Sequence, residues 1–192
     1  MSLRRLPRSE VRRHLKPYAD EIGQVTLAWN SLHENLCILF SYAIGPGRVP
    51  FAIWNRLSSD RTQRDILKTA VEAGAFGTSR HGLNEDVLWL LSQTDALAEH
   101  RNVAIHAPLT TLTDVATGKT VVEPADFLGN KRAKSLKGID IIRELEWCAE
   151  CAASLSYFAA DVISTVNGSP ESWPERPSLT LPPSHSRGRT KR

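Results

Sequence analysis

The residue types best suited to chemistry gather in one heptapeptide, His100-Arg101-Asn102-Val103-Ala104-Ile105-His106. An imidazole exchanges protons near neutrality, so His106 suits acid–base work. A guanidinium is a permanent, forked cation whose geometry matches a phosphate, which suits Arg101. The amide of Asn102 can orient either group or hold the phosphate itself. None of these roles requires a metal. On a helix turning about 100° per residue, Arg101 falls inside the apolar arc, between Leu97/Ala98 and Ala104/Ile105. A charge there must be paired or must face a cleft or an interface, because isolated burial is expensive. Asn102 and His106 share one edge of that arc, and Thr94 adds a polar position to the face. A purely structural role is the alternative. In it, Arg101 pairs with a buried carboxylate such as Glu34 or Asp95, and His106 caps the last helical carbonyls.

Other groups offer less. Arg8 and His14 repeat a similar spacing in the basic N-terminus. Cys148 and Cys151 form a CxxC without a second ligand pair, which reads as packed thiols rather than zinc. His33-Glu34 reads as a solvated polar face. His81, between Arg80 and Gly82, sits in a loop and could touch a ligand. Gly74 to Gly82 lacks the glycine spacing and lysine of a phosphate-binding loop. Trp29, Trp54, Trp89 and Trp147 fall on helices, as core or interface residues.

The elements that must position the heptapeptide are helices. Apolar residues at Ile22, Val25, Trp29, Leu32, Leu36, Phe40 and Ala43 predict one helix over 20–44, ended by Gly45-Pro46-Gly47. A short helix is expected over 49–57. Ser58-Ser59-Asp60 offers caps, and Asp60 with Gln63 fits a capping box for a helix to Ala73. A fourth helix runs from Asn84 to His106 and stops before Pro108. Leu109 to Val122 predicts a small β-hairpin around Ala116-Thr117-Gly118-Lys119. A basic loop, 131–137, precedes a last helix over 139–166, whose stripe is Ile142, Leu145, Ala149, Ala152, Ser156, Ala159, Ile163 and Val166. The fold class is therefore all-α, an up-and-down bundle of about four to five helices with a hairpin insertion near 109–122.

The chain has 192 residues, 24 basic and 21 acidic, for a net charge of +3. Three basic segments stand on a mildly acidic body: Arg4 to Lys16, the loop Lys131-Arg132-Lys134-Lys137, and a tail ending Arg187, Arg189, Lys191, Arg192. Such segments can reach phosphates or another acidic partner. Five of the eleven prolines lie beyond Gly168, so the tail is expected to be disordered, with Trp173 able to pack back. The organisation expected is a basic N-terminal arm over 1–16, a helical domain over 17–167 and a tail over 168–192. No apolar run reaches the roughly 18 residues of a membrane span. The lack of a signal-like N-terminus and the three cysteines fit a cytoplasmic protein.

Arg101, a polar Asn102, three apolar residues and His106, closing a helix before a proline, resemble the Arg-polar-x3-His signature of the HEPN superfamily. The resemblance covers about Asp20 to Val166. It implies a small α-helical domain that is a metal-independent endoribonuclease, with toxin or defence roles, or else a catalytically inactive RNA- or protein-binding module. In the cleavage reading RNA brings its own nucleophile, the 2′-hydroxyl. Arg101, Asn102 and His106 would then be catalytic, with no cofactor. The resemblance also implies a homodimer with two Arg–His pairs in one cleft, and a protein partner or antitoxin.

Overall fold

The computed structural model describes residues 6–45, 47–77, 82–126, 129–168 and 172–184. His81, Arg4, Arg5 and the basic end from Arg187 to Arg192 lie outside the described residues. Six helices and one hairpin follow in chain order: α1 (Arg8–Ile44), α2 (Arg48–Trp54), α3 (Asp60–Glu72), α4 (Leu83–His106), β1 (Leu109–Thr113), β2 (Thr120–Pro124), α5 (Lys131–Ser135) and α6 (Ile141–Val166). The fold is all-α with a hairpin insertion, as the periodicity predicts. Among the described residues no helix is long and apolar enough to cross a membrane.

Contacts group the described residues into two compact units. One comprises 6–26, 99–149 and 181–184; the other comprises 27–98 and 150–180 without the undescribed residues. Helices α1, α4 and α6 each contribute residues to both.

In the first unit, α1 begins twelve residues earlier than the expected Asp20 and carries Pro17 inside it. A proline in a helix removes one N–H and crowds the preceding turn. The apolar stripe outweighs that cost. Val11, Leu15, Tyr18, Ile22 and Val25 repeat at four and three residues, and the last is fully buried. Much of the expected basic arm is therefore helix. The hairpin pairs Leu109 with Pro124 and Thr113 with Thr120. Its turn is closed by Asp114, whose carboxylate accepts from the Ala116 N–H at 2.9 Å and the Thr117 hydroxyl at 3.0 Å. Those bonds hold the Asp114 carboxyl below its usual range. Part of the expected basic loop is the short helix α5, capped by Asn130, which accepts from the N–H groups of Arg132 and Ala133.

In the second unit, Trp29, Leu32, Leu36, Leu39 and Phe40 of α1 are buried, as are Leu67 and Val71 of α3 and Val87, Leu90 and Leu91 of α4. Each such leucine contributes about 1.5–3 kcal/mol relative to exposure. The cap of α3 is Ser59 rather than Asp60, and its side chain accepts from the Thr62 N–H at 3.1 Å. Asp60 instead accepts the Trp29 indole N–H at 2.8 Å.

The buried stripe of α6 is Ile141, Leu145, Cys148, Ala152, Leu155, Ala159 and Val162. It is rotated from the expected one, because Ile142, Ala149, Ile163 and Val166 are only half-buried. Within the second unit Cys151 is buried, and burial pushes its thiol up to about 11.

The tail departs from expected disorder over 172–184. In the second unit the Trp173 indole N–H donates to Asp86 Oδ2 at 2.5 Å, and Arg176 Nε donates to Asp86 Oδ1 at 2.6 Å. The Arg176 guanidinium also lies 5.4 Å from the Trp89 ring centroid. Proline-rich chain has little conformational entropy to lose on ordering. Two donors on one buried carboxylate anchor its start in this unit.

Candidate functional site

The last two turns of α4 carry Arg101, Asn102 and His106, all in the first unit. The helix ends where expected, with Ala107 N–H donating to the Val103 carbonyl at 3.1 Å just before Pro108. Arg101 is half-buried, consistent with its place in the apolar arc, and its Nη1 donates to Asn102 Oδ1 at 3.0 Å. This bond turns two neighbouring side chains into one polar group. His106 is exposed as the final residue of the helix, one turn beyond Asn102. Five residues separate Arg101 from His106, or roughly 140° around the axis at 3.6 residues per turn. The hydrogen bond joins Asn102 to Arg101, i,i+4 spacing puts Asn102 and His106 on one face, and Arg101 and His106 fall on different sides.

The same unit also carries exposed cations. Arg8, Arg12, Arg13 and Lys16 of α1 and Lys131, Arg132 and Lys134 of α5 are all exposed. Lys16 is paired with Asp20 at 2.5 Å, and Lys137 with Asp126 at 3.1 Å.

A second constellation in the first unit was not among the candidates read from the sequence. Glu144 is almost wholly buried, with 4% of its side chain exposed. Its Oε1 lies 3.3 Å from His100 Nδ1 and accepts the Ser184 hydroxyl at 3.1 Å. Its Oε2 accepts the Ser184 backbone N–H at 3.3 Å. The His100 ring meets Trp147 edge to face at 5.2 Å. These groups border a cavity of about 410 Å³ whose walls include Glu99, Val103 and Leu136. The available signal was Glu144 itself, a carboxylate one turn before Cys148 on the buried stripe of α6.

The second unit holds another polar cluster. His33 is buried rather than solvated. Its Nδ1 lies 3.1 Å from Gln63 Oε1, and its Nε2 lies 3.4 Å from Arg64 Nη1. Buried Arg64 donates from Nε to Asp95 Oδ1 at 2.7 Å and stands 5.7 Å from the Trp29 ring centroid. Asp95, an expected partner for Arg101, is thus bound to Arg64. Gln63, expected in a capping box, donates to the Trp54 carbonyl at 3.1 Å.

Compared with protein-family models, curated proteins and solved structures, the chain matches none.

Proposed function

We propose that this chain is a HEPN-like, metal-independent endoribonuclease in which Arg101, Asn102 and His106 act on RNA. One observation carries the reading. The polar trio at the end of α4 lies in the same compact unit as two exposed basic segments, on α1 and α5. Cations of that kind attract a polyphosphate without reading its sequence.

In the proposed reaction the 2′-hydroxyl loses its proton to a base and its oxygen attacks the adjacent phosphorus. The bond to the 5′-oxygen breaks, and an acid returns a proton to that leaving group. The products are a 2′,3′-cyclic phosphate and a 5′-hydroxyl. His106 supplies proton transfer. Arg101, steered by Asn102, offsets charge on the phosphorus oxygens. The roughly 140° between Arg101 and His106 favours a site completed by a second copy, so the active species in this reading is a homodimer. A cytoplasmic toxin or defence role, with a protein antitoxin, follows by resemblance.

The test compares the wild-type chain with His106→Ala on mixed RNA in EDTA. Fragments ending in a 2′,3′-cyclic phosphate are expected from the first and not from the second. Equal cleavage by both would overturn the assignment. Binding without cleavage would favour the second reading, an RNA- or protein-binding helical module. The bond that already engages the Arg101 head with Asn102 favours that module.

A further inference from the structure

We infer that the cavity at Glu144 is a binding site for a guanine base, and that Ser184, in the cavity wall, holds the Glu144 carboxylate as an internal stand-in. The inference deepens the ribonuclease reading and rests on it for the polymer that supplies the base.

A buried carboxylate is costly unless donors satisfy both oxygens. Glu144 obtains one donor for each oxygen from a single residue, Ser184: the hydroxyl on Oε1 and the backbone N–H on Oε2. That paired-donor edge is what guanine presents through N1–H and N2–H. Adenine sets a ring acceptor beside its amino group, as cytosine does. Uracil has one N–H between two carbonyls. Only guanine offers two adjacent donors to a carboxylate. His100 can stay on Oε1 meanwhile, because a carboxylate has about four lone-pair sites.

The surroundings fit a base rather than a phosphate. Two carboxylates, Glu99 and Glu144, line the cavity against one imidazole, and Val103 and Leu136 give it apolar wall. A phosphate would be repelled there. An unstacked base is recognised on its Watson–Crick edge in this kind of setting. The site also adjoins the proposed cleavage residue along α4. Glu99, Val103 and His106 fall at i, i+4 and i+7, which is one face of a helix.

The test titrates the full chain with guanosine, inosine, adenosine and N-acetylargininamide, following heat or chemical shifts. Guanosine is expected to bind at least tenfold more tightly than inosine, which lacks the N2 donors, and adenosine is expected not to bind. Glu144→Gln should weaken guanosine at least tenfold. Ser184→Pro, which removes both stand-in donors, should tighten it several-fold. Guanosine has no phosphodiester to cleave, so its binding to the wild-type chain is read separately from any loss of cleavage. Equal affinity for guanosine and inosine, or tighter binding of the arginine analogue, would overturn the inference. So would guanosine binding untouched by Ser184→Pro. If Glu144→Gln does not fold, the ligand series on the wild-type chain still decides.

Discussion

Arg176 Nε donates to Asp86 Oδ1 at 2.6 Å, although ninety residues separate them in the chain. Asp86 is buried, and its other oxygen is taken by Trp173. Within the second unit this carboxylate takes donors from two residues at the start of the tail.

The two donors differ in exposure, and so should their worth. Trp173→Ala removes a bond to a charged acceptor and apolar contact, and should cost about 1–3 kcal/mol. Arg176 has 43% of its side chain exposed, so Arg176→Ala should cost less, about 0.5–1 kcal/mol. Asp86→Ala should cost the most, because it removes the acceptor of both. Urea unfolding gives the order. Amide exchange at 172–180 should rise in all three variants.

Arg64 and Asp95 form an unequal pair. Arg64 has 5% of its side chain exposed and Asp95 has 50%. Asp95→Ala strands a guanidinium in the interior and should cost about 1–3 kcal/mol. Arg64→Met leaves a carboxylate that water already reaches, and should cost less than Asp95→Ala. The reverse order in urea unfolding would show that the bond matters less than the packing of the arginine stem.

The site residues should separate stability from activity. His106 is exposed, so His106→Ala should leave unfolding within about 0.5 kcal/mol of wild type. Cleavage should nonetheless fall at least about a hundredfold. Asn102→Ala removes one bond to the Arg101 head, and roughly a tenfold loss of kcat/KM is expected from one lost orienting bond. An Asn102→Ala variant with unchanged kcat/KM would assign the Arg101–Asn102 bond to structure alone.

Tyr18 carries a pH signature. Burial first, and the Asp140 carboxylate second, push its hydroxyl above the usual 10.0. The unfolded chain then loses the proton before the folded one does. The stability Tyr18 contributes is fully present below pH 10.0 and is lost as pH rises through the folded value. Tyr18→Phe cannot ionise, so its unfolding midpoint should fall less steeply above pH 10.0 than that of wild type.

Helix α4, the hairpin and the α6 stripe show how much was legible in the chain itself. Periodicity and Pro108 located α4 and its end, and the Thr-rich runs located the strands, because these depend on neighbours within a few residues. Periodicity set Arg101 on an apolar arc, and the structure finds it half-buried. Helix α1 starts earlier than the expected Asp20 because the stripe from Val11 to Val25 is rewarded only by tertiary packing. The tail was misjudged for the same kind of reason. Its prolines describe what it cannot form alone, and its order comes from Asp86 and Glu144, far away in sequence. The cluster of His100, Glu144 and Ser184 was invisible for want of any spacing rule that joins three distant segments. Local sequence determined which elements form and where the candidate trio sits. Only the tertiary structure decided which carboxylates are buried and which donors satisfy them, because that demand arises once water has been excluded.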